Sequence, residues 1–138
     1  MDKALNYLAL ARKAGLAELG EEPVGAAARA NHARLVIVAS DASDHTWRRA
    51  LSFVDHTGQQ CLRVNYTKAE LGFAIGRQEL AIAAITDAKL ALSLVQALDQ
   101  EEKHKAVIEV LSEKATRLAK RQAEAKAHQR NKRFGKKK

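Results

Sequence analysis

Among 138 residues there is one cysteine, Cys61, and the aromatic residues Phe, Trp and Tyr make up only 4%. A lone cysteine excludes a disulfide within the chain and a cysteine-rich zinc site. Long apolar runs are also missing. The longest, Leu80 to Ile85, is far shorter than the roughly 20 residues that span a bilayer, so no membrane partner is expected. No basic segment leads into an apolar stretch near the first residues, and the expected setting is the reducing cytoplasm. No internal repeat is visible. The five histidines, His32, His45, His56, His104 and His128, lack metal-ligand spacing. Gly72 and Gly76 are not followed by the Lys-Ser/Thr of a phosphate-binding loop. Cys61 sits among apolar neighbours, where a thiol behaves as a small hydrophobe. The adjacent Glu21 and Glu22 suit the positive end of a helix better than acid–base chemistry. The chain therefore reads as non-enzymatic, with no cofactor and no metal.

Acid is scarce at one end only. The formal charge is +8, but residues 114–138 hold eleven Lys or Arg against the single Glu124, a charge of +10. Residues 1–113 hold thirteen bases and fifteen acids, a charge of −2. The basicity belongs to a C-terminal appendage, and a terminal block of like charge binds polyanions in a salt-sensitive manner.

The rest alternates between apolar runs and helical patterns. Asp2 caps a first helix with Leu5, Leu8 and Ala9 on one face, stopping near Gly15. Leu16 to Leu19 is extended. Pro23 fits the first turn of a second helix whose stripe is Val24, Ala27 and Ala28. Leu35 to Ala39 is a β-branched run, the mark of a strand covered on both faces. A third helix carries Trp47, Leu51 and Val54 on one side and ends at Gly58, and Cys61 to Val64 is a further strand. Thr67 with Glu70 forms a capping box for a fourth helix. Leu80 to Ile85 is a buried strand, and Thr86-Asp87 caps a fifth helix through Ala91, Leu94, Val95 and Leu98. Such alternation predicts an α/β fold with helices on both faces of one sheet. Residues 1–98 form the expected domain. Residues 99–138 are a charged linker followed by a basic arm, helical or disordered; Val107, Leu111, Ala115 and Leu118 continue a helical stripe, and after Leu118 the apolar side is alanine only, a sequence that can be helical but cannot hold itself folded alone.

Five segments together resemble the kink-turn-binding ribosomal protein family, the L-seven-Ae superfamily, in its small bacterial form. They are Ala11-Arg12-Lys13-Ala14-Gly15, Gly20-Glu21-Glu22, Arg34 to Ser43, Thr67 to Gly76, and Leu80 to Asp87. The resemblance implies a three-layer α/β/α sandwich with a central mixed sheet. It also implies a non-catalytic, ribosomal or ribosome-associated protein, monomeric when free, that recognises structured RNA, ribosomal RNA above all. By that resemblance Gly20, Glu21 and Glu22 would face the kink, with Arg29 further along the same helix. The Gly76-Arg77-Gln78 loop would pack on a flipped nucleotide, and Lys68 would lie at the same RNA edge. The chain departs from the pattern at two places: the family's purine-reading carboxylate falls on Pro23, and its helix lysine on Ala26. The arm would add electrostatic affinity through Arg117, Lys120, Arg121, Lys126, Arg130, Lys132 and Arg133. The departures favour an alternative, a protein-interaction module of the same fold that has lost kink-turn reading. A similar fold also precedes the catalytic domain of some RNA methyltransferases, but nothing in this chain is long enough to be that domain.

Overall fold

The computed structural model describes residues 2–100 and 102–135, with side chains through residue 128. Ten elements follow one another: α1 (Lys3–Lys13), β1 (Ala17–Leu19), α2 (Glu21–Arg29), β2 (Leu35–Val38), α3 (Asp44–Val54), β3 (Gln60–Arg63), α4 (Lys68–Ala74), β4 (Ile82–Ile85), α5 (Ala88–Ala97) and α6 (Lys105–Gly135). The sheet order is β1-β4-β2-β3, mixed as expected. β2 pairs in parallel with β3, Leu35 opposite Gln60, and antiparallel with β4, Leu35 opposite Ile85. β1 lies antiparallel on the outer edge of β4, with Ala17 opposite Ile85.

All four residues of β2 and of β4 are buried, because helices cover both faces of these central strands. α1, α4 and α5 pack on one face, and α2 and α3 on the other. Each fully buried Leu, Ile or Val contributes roughly 1.5–3 kcal/mol, so the strands from Leu35 to Val38 and Ile82 to Ile85 anchor the domain.

Side-chain oxygens fix where the helices start. Asp2 accepts the Lys3 N–H, Ser43 that of Thr46, and Asp87 that of Leu90. Thr67 and Glu70 form the complete capping box read from the sequence. Asp2 has a second role that its position did not reveal: it accepts a 2.5 Å hydrogen bond from Tyr66 Oη, tying α1 to the segment after β3.

α3 differs from expectation. Leu51 is 43% exposed, while Ala50 is fully buried between Trp47 and Val54, which are half-buried. Both three- and four-residue spacings fit one helical face, and the smaller Ala50 lets α3 approach the sheet and α2 closely. α3 also ends at Val54, four residues before Gly58. Gln59 is buried and fully engaged. Its Oε1 accepts the Ala33 N–H at 2.9 Å, and its Nε2 donates to Ala28 O at 3.1 Å and Thr57 Oγ1 at 3.0 Å. One side chain thus joins the end of α2, the approach to β2 and the start of β3.

α6 is a 31-residue helix. Its first turns pack on α5, with Leu111 fully buried and Val107 and Ile108 against the same core. From Ala119 to His128 every residue is exposed. No helix among the described residues is long and apolar enough to cross a membrane.

Candidate nucleic-acid interface

One end of the sheet gathers most of the residues singled out in the sequence. It is the end where β2 finishes and β4 begins. Gly20, the N-cap of α2, donates its N–H to Ile82 O at 3.0 Å and so sits beside the first residue of β4. The Leu80 N–H reaches Lys68 O at 2.9 Å, and the Lys68 N–H reaches Asp41 Oδ1 at 2.8 Å. These bonds bring the β2–α3 turn, the start of α4 and the loop after α4 to one rim. Gly20, Glu21, Glu22, Lys68, Gly76, Arg77 and Gln78 therefore share it, Lys68 half-buried and Gly76 to Gln78 exposed.

Two glycines shape the loop for different reasons. At Gly72 a Cβ would stand 2.6 Å from Glu79 Cα and 2.7 Å from Glu79 N, so only glycine lets the loop fold back on α4. The Arg77 N–H then closes on Gly72 O at 2.8 Å. Gly76 has φ +73°, and a Cβ there would meet nothing within 4 Å, so its role is the left-handed turn, and the close backbone approach belongs to Gly72. Beside this loop stands Phe73, 77% exposed, the most exposed of the described large apolar side chains. The helical period would have revealed it, because Leu71 and Ala74 take the buried face of α4 and leave Phe73 outside.

Glu21 and Glu22 have different surroundings. Glu21 Oε1 accepts from Thr46 Oγ1 at 3.2 Å, and its Oε2 lies 3.6 Å from Arg49 Nε. Arg49 also lies 5.3 Å from the Phe53 ring centroid, within cation–π reach. Glu22 is exposed, and Pro23 contributes no N–H to the first turn of α2. Arg29 occupies the last turn of α2, at the far end of the helix from Gly20.

The opposite end of the sheet is built differently. There a cleft of about 570 Å³ opens between the core and α6, with Arg34, Lys114, Arg117 and Arg121 on its walls. Arg34 Nη1 donates to Asn31 O at 3.2 Å, and Lys114 Nζ to Gly58 O at 3.2 Å. Arg117 pairs with Glu113 one turn earlier on α6. Burial, then the charges of Arg34 and Arg117, hold the Lys114 amine below the usual lysine range. The sequence marks Arg34 only as the entry to a strand, because it stands 80 residues before Lys114. Lys120 and Lys126 are exposed on α6, and neither lines this cleft. The side chains of Arg130, Lys132 and Arg133 lie outside the described residues, as do Lys136 to Lys138.

Groups with catalytic potential are placed elsewhere. Burial pushes the Cys61 thiol up to about 12, so at neutral pH it is a protonated core group. Among the described residues no three His, Cys, Asp or Glu side chains gather as a metal site would require.

No family model matches the chain, and no curated protein matches it. Solved structures do. The Giardia lamblia 15.5kD RNA binding protein is 19% identical, with a TM-score of 0.59 over 76% of this chain and 87% of its own, a likeness of fold. A Bacillus halodurans protein of unknown function is 31% identical, with a TM-score of 0.67 over 72% of this chain and the whole of its own length. At that identity over that full length, the chain belongs to the family of this Bacillus halodurans protein.

Proposed function

We propose that this protein is a non-catalytic RNA-binding protein whose rim of Gly20, Glu21, Lys68, Gly76 and Arg77 recognises a kinked or otherwise structured RNA, ribosomal RNA being the favoured partner. The observation that carries the reading is the convergence of three separated segments on one rim, on a fold like that of the Giardia RNA binding protein. Turn backbone and exposed side chains at such a rim suit recognition by shape. Arg77 has a planar guanidinium for stacking or gripping a phosphate, and the exposed Phe73 offers a π-face beside it. Phosphate contacts would position the RNA, and base contacts at the rim would supply preference. Glu21 does not oppose this, since Thr46 and Arg49 already engage its carboxylate. The basic arm adds affinity that falls with salt.

The test compares Arg77→Ala with the unaltered full chain on a kink-turn RNA and on a straight duplex, at one fixed salt concentration. Loss of stacking or of a good polar contact should weaken kinked RNA by about 1–3 kcal/mol and the duplex much less. Equal losses would reduce Arg77 to a general phosphate contact. A second reading, a protein-interaction module, is favoured by one observation: Pro23 and Ala26 line a groove of about 510 Å³ along α2 whose basic side chains are His32 and Arg34 alone. No preference for kinked RNA in the unaltered chain would move that reading ahead.

A further inference from the structure

The cleft at the far end of the sheet has no part in the rim, yet it gathers four cationic side chains. Arg34 comes from the entry to β2, and Lys114, Arg117 and Arg121 from successive turns of α6. Spacings of three and four residues place those three on one helical face, towards Arg34. Two acids oppose them. Asp87 lines the cleft, but its Oδ2 accepts the Leu90 N–H at 2.9 Å; Glu113 pairs with Arg117. A net positive charge remains.

We propose that this cleft is a second, preformed seat for the phosphate backbone of RNA, separate from the rim and built jointly by the core and α6. It rests on the RNA reading for the identity of its ligand. Holding like charges together in a folded protein is unfavourable, and an anion between them relieves that repulsion. The crowding registers at Lys114, whose amine is held below its usual range by burial and then by Arg34 and Arg117. Carbonyl contacts from Arg34 to Asn31 and from Lys114 to Gly58 hold two of the cations in place. Preorganised donors lose less side-chain freedom on binding than free ones do.

The cleft also has a route to the rim. Arg34 and Thr86 line both the cleft and the neighbouring groove along α2. α2 begins just after Gly20 on the rim and has nine residues, about 13 Å of helix. A strand lying along α2 would pass over Pro23 and Ala26 and enter the cleft at Arg34. From Lys114 to Arg121, α6 is then a fixed wall of the binding surface and not a loose polycation. Arg34 separates the two descriptions, because a loose tail has no use for a cation on the core.

The experiment uses the full chain and the same kink-turn RNA, with affinity followed across a salt series. Arg34→Gln and Arg121→Gln should each lower the slope of log K against log salt by about 0.7–0.9, the share of one neutralised phosphate. Arg34→Lys should retain the slope. Arg48→Gln, an exposed cation on α3 that lines neither groove, should leave it unchanged. Thermal melting confirms that each variant is folded before its slope is read. An unaltered slope in folded Arg34→Gln, with Arg121→Gln still reduced, overturns the cleft and leaves α6 as loose charge. Equal reductions in Arg34→Gln and Arg48→Gln overturn it too. Arg77→Ala distinguishes the two proposals. Weakening by Arg77→Ala but not by Arg34→Gln refutes the cleft alone; the reverse supports the cleft and refutes the loop contact. Failure of the unaltered chain to bind RNA overturns both.

Discussion

The two ends of the sheet solve different problems with different residues. At the rim, turns from β2–α3, α4 and the following loop meet through backbone hydrogen bonds, and Gly72 and Gly76 set the loop's course. Its cations are few, and Glu21 is occupied by Thr46 and Arg49. At the cleft the surface comes from long basic side chains, with Lys114 and Arg34 leaning on carbonyls. The contrast separates shape from charge. Turn geometry discriminates among RNA conformations but adds little long-range attraction, whereas clustered cations attract any phosphate chain without telling one from another. On the proposed reading, residues 1–113, with a net charge of −2, would supply recognition of shape at the rim, and α6 would bring the charge to the other end.

Breaking the cleft from below should have the largest effect. Gln59→Leu leaves the buried Ala33 N–H without its partner, at a cost of roughly 1–3 kcal/mol, while the Ala28 carbonyl loses the Gln59 amide but still accepts the Asn31 N–H. Denaturant unfolding measures this loss. Because Ala33 precedes Arg34, the same variant should flatten the salt dependence of binding while keeping the preference for kinked over straight RNA.

Breaking the rim comes next. Gly72→Ala forces a Cβ against the Glu79 backbone, which must move, at a cost of about 1–3 kcal/mol by analogy with overpacked sites. Here the outcome should be the converse: the kinked-over-straight preference shrinks and the salt slope stays. Loss of both properties in either variant would mean that the two ends do not act separately.

Sharpening the contrast takes a gain rather than a loss. Ala26→Lys puts a cation on the exposed face of α2, in the groove between the two ends. Kink-turn RNA should bind more tightly by roughly 1 kcal/mol or more, the scale of a charge-assisted hydrogen bond. No change, with kinked RNA still preferred, would show that RNA does not cross α2. Phe73→Ala should leave stability within about 0.5 kcal/mol, as expected for a surface site. It should nonetheless weaken RNA binding if the ring is a stacking platform.

The smallest expected effect concerns how α6 is hung on the core. His104 is buried at the entrance to α6, its Nε2 3.3 Å from Gln100 Oε1. Burial, and secondarily Lys103, lower its pKa from the ordinary 6.5. The unfolded chain therefore takes up a proton at a higher pH than the folded one does. Stability is fully present above about pH 6.5 and is lost as pH falls through the lowered folded value. Melting of the unaltered chain should drop between about pH 7.5 and 5.5 more than melting of His104→Gln, which has no such group to titrate. Equal drops would remove His104 from the account.

Local chemistry in the sequence determined much of the architecture. Leu35 to Val38 and Ile82 to Ile85 are strands because their β-branched and small apolar residues suit a sheet covered on both faces. Asp2, Ser43, Thr67 and Asp87 start helices because a short side-chain oxygen reaches the first free N–H groups. These signals act over a few residues and survive any tertiary arrangement. Only the tertiary structure decided which candidate side chains meet. Leu51 faces solvent because α3 turned its smaller Ala50 inward against the sheet and α2. Gly72 matters because residues 77–79 fold back onto it, and Gln59 because three separate segments end around it. Arg34 joins Lys114 and Arg121 because β2 starts where α6 passes, a coincidence of packing that no local pattern encodes. Burial and long-range approach depend on the whole chain at once, whereas caps and strand patterns depend on neighbours alone.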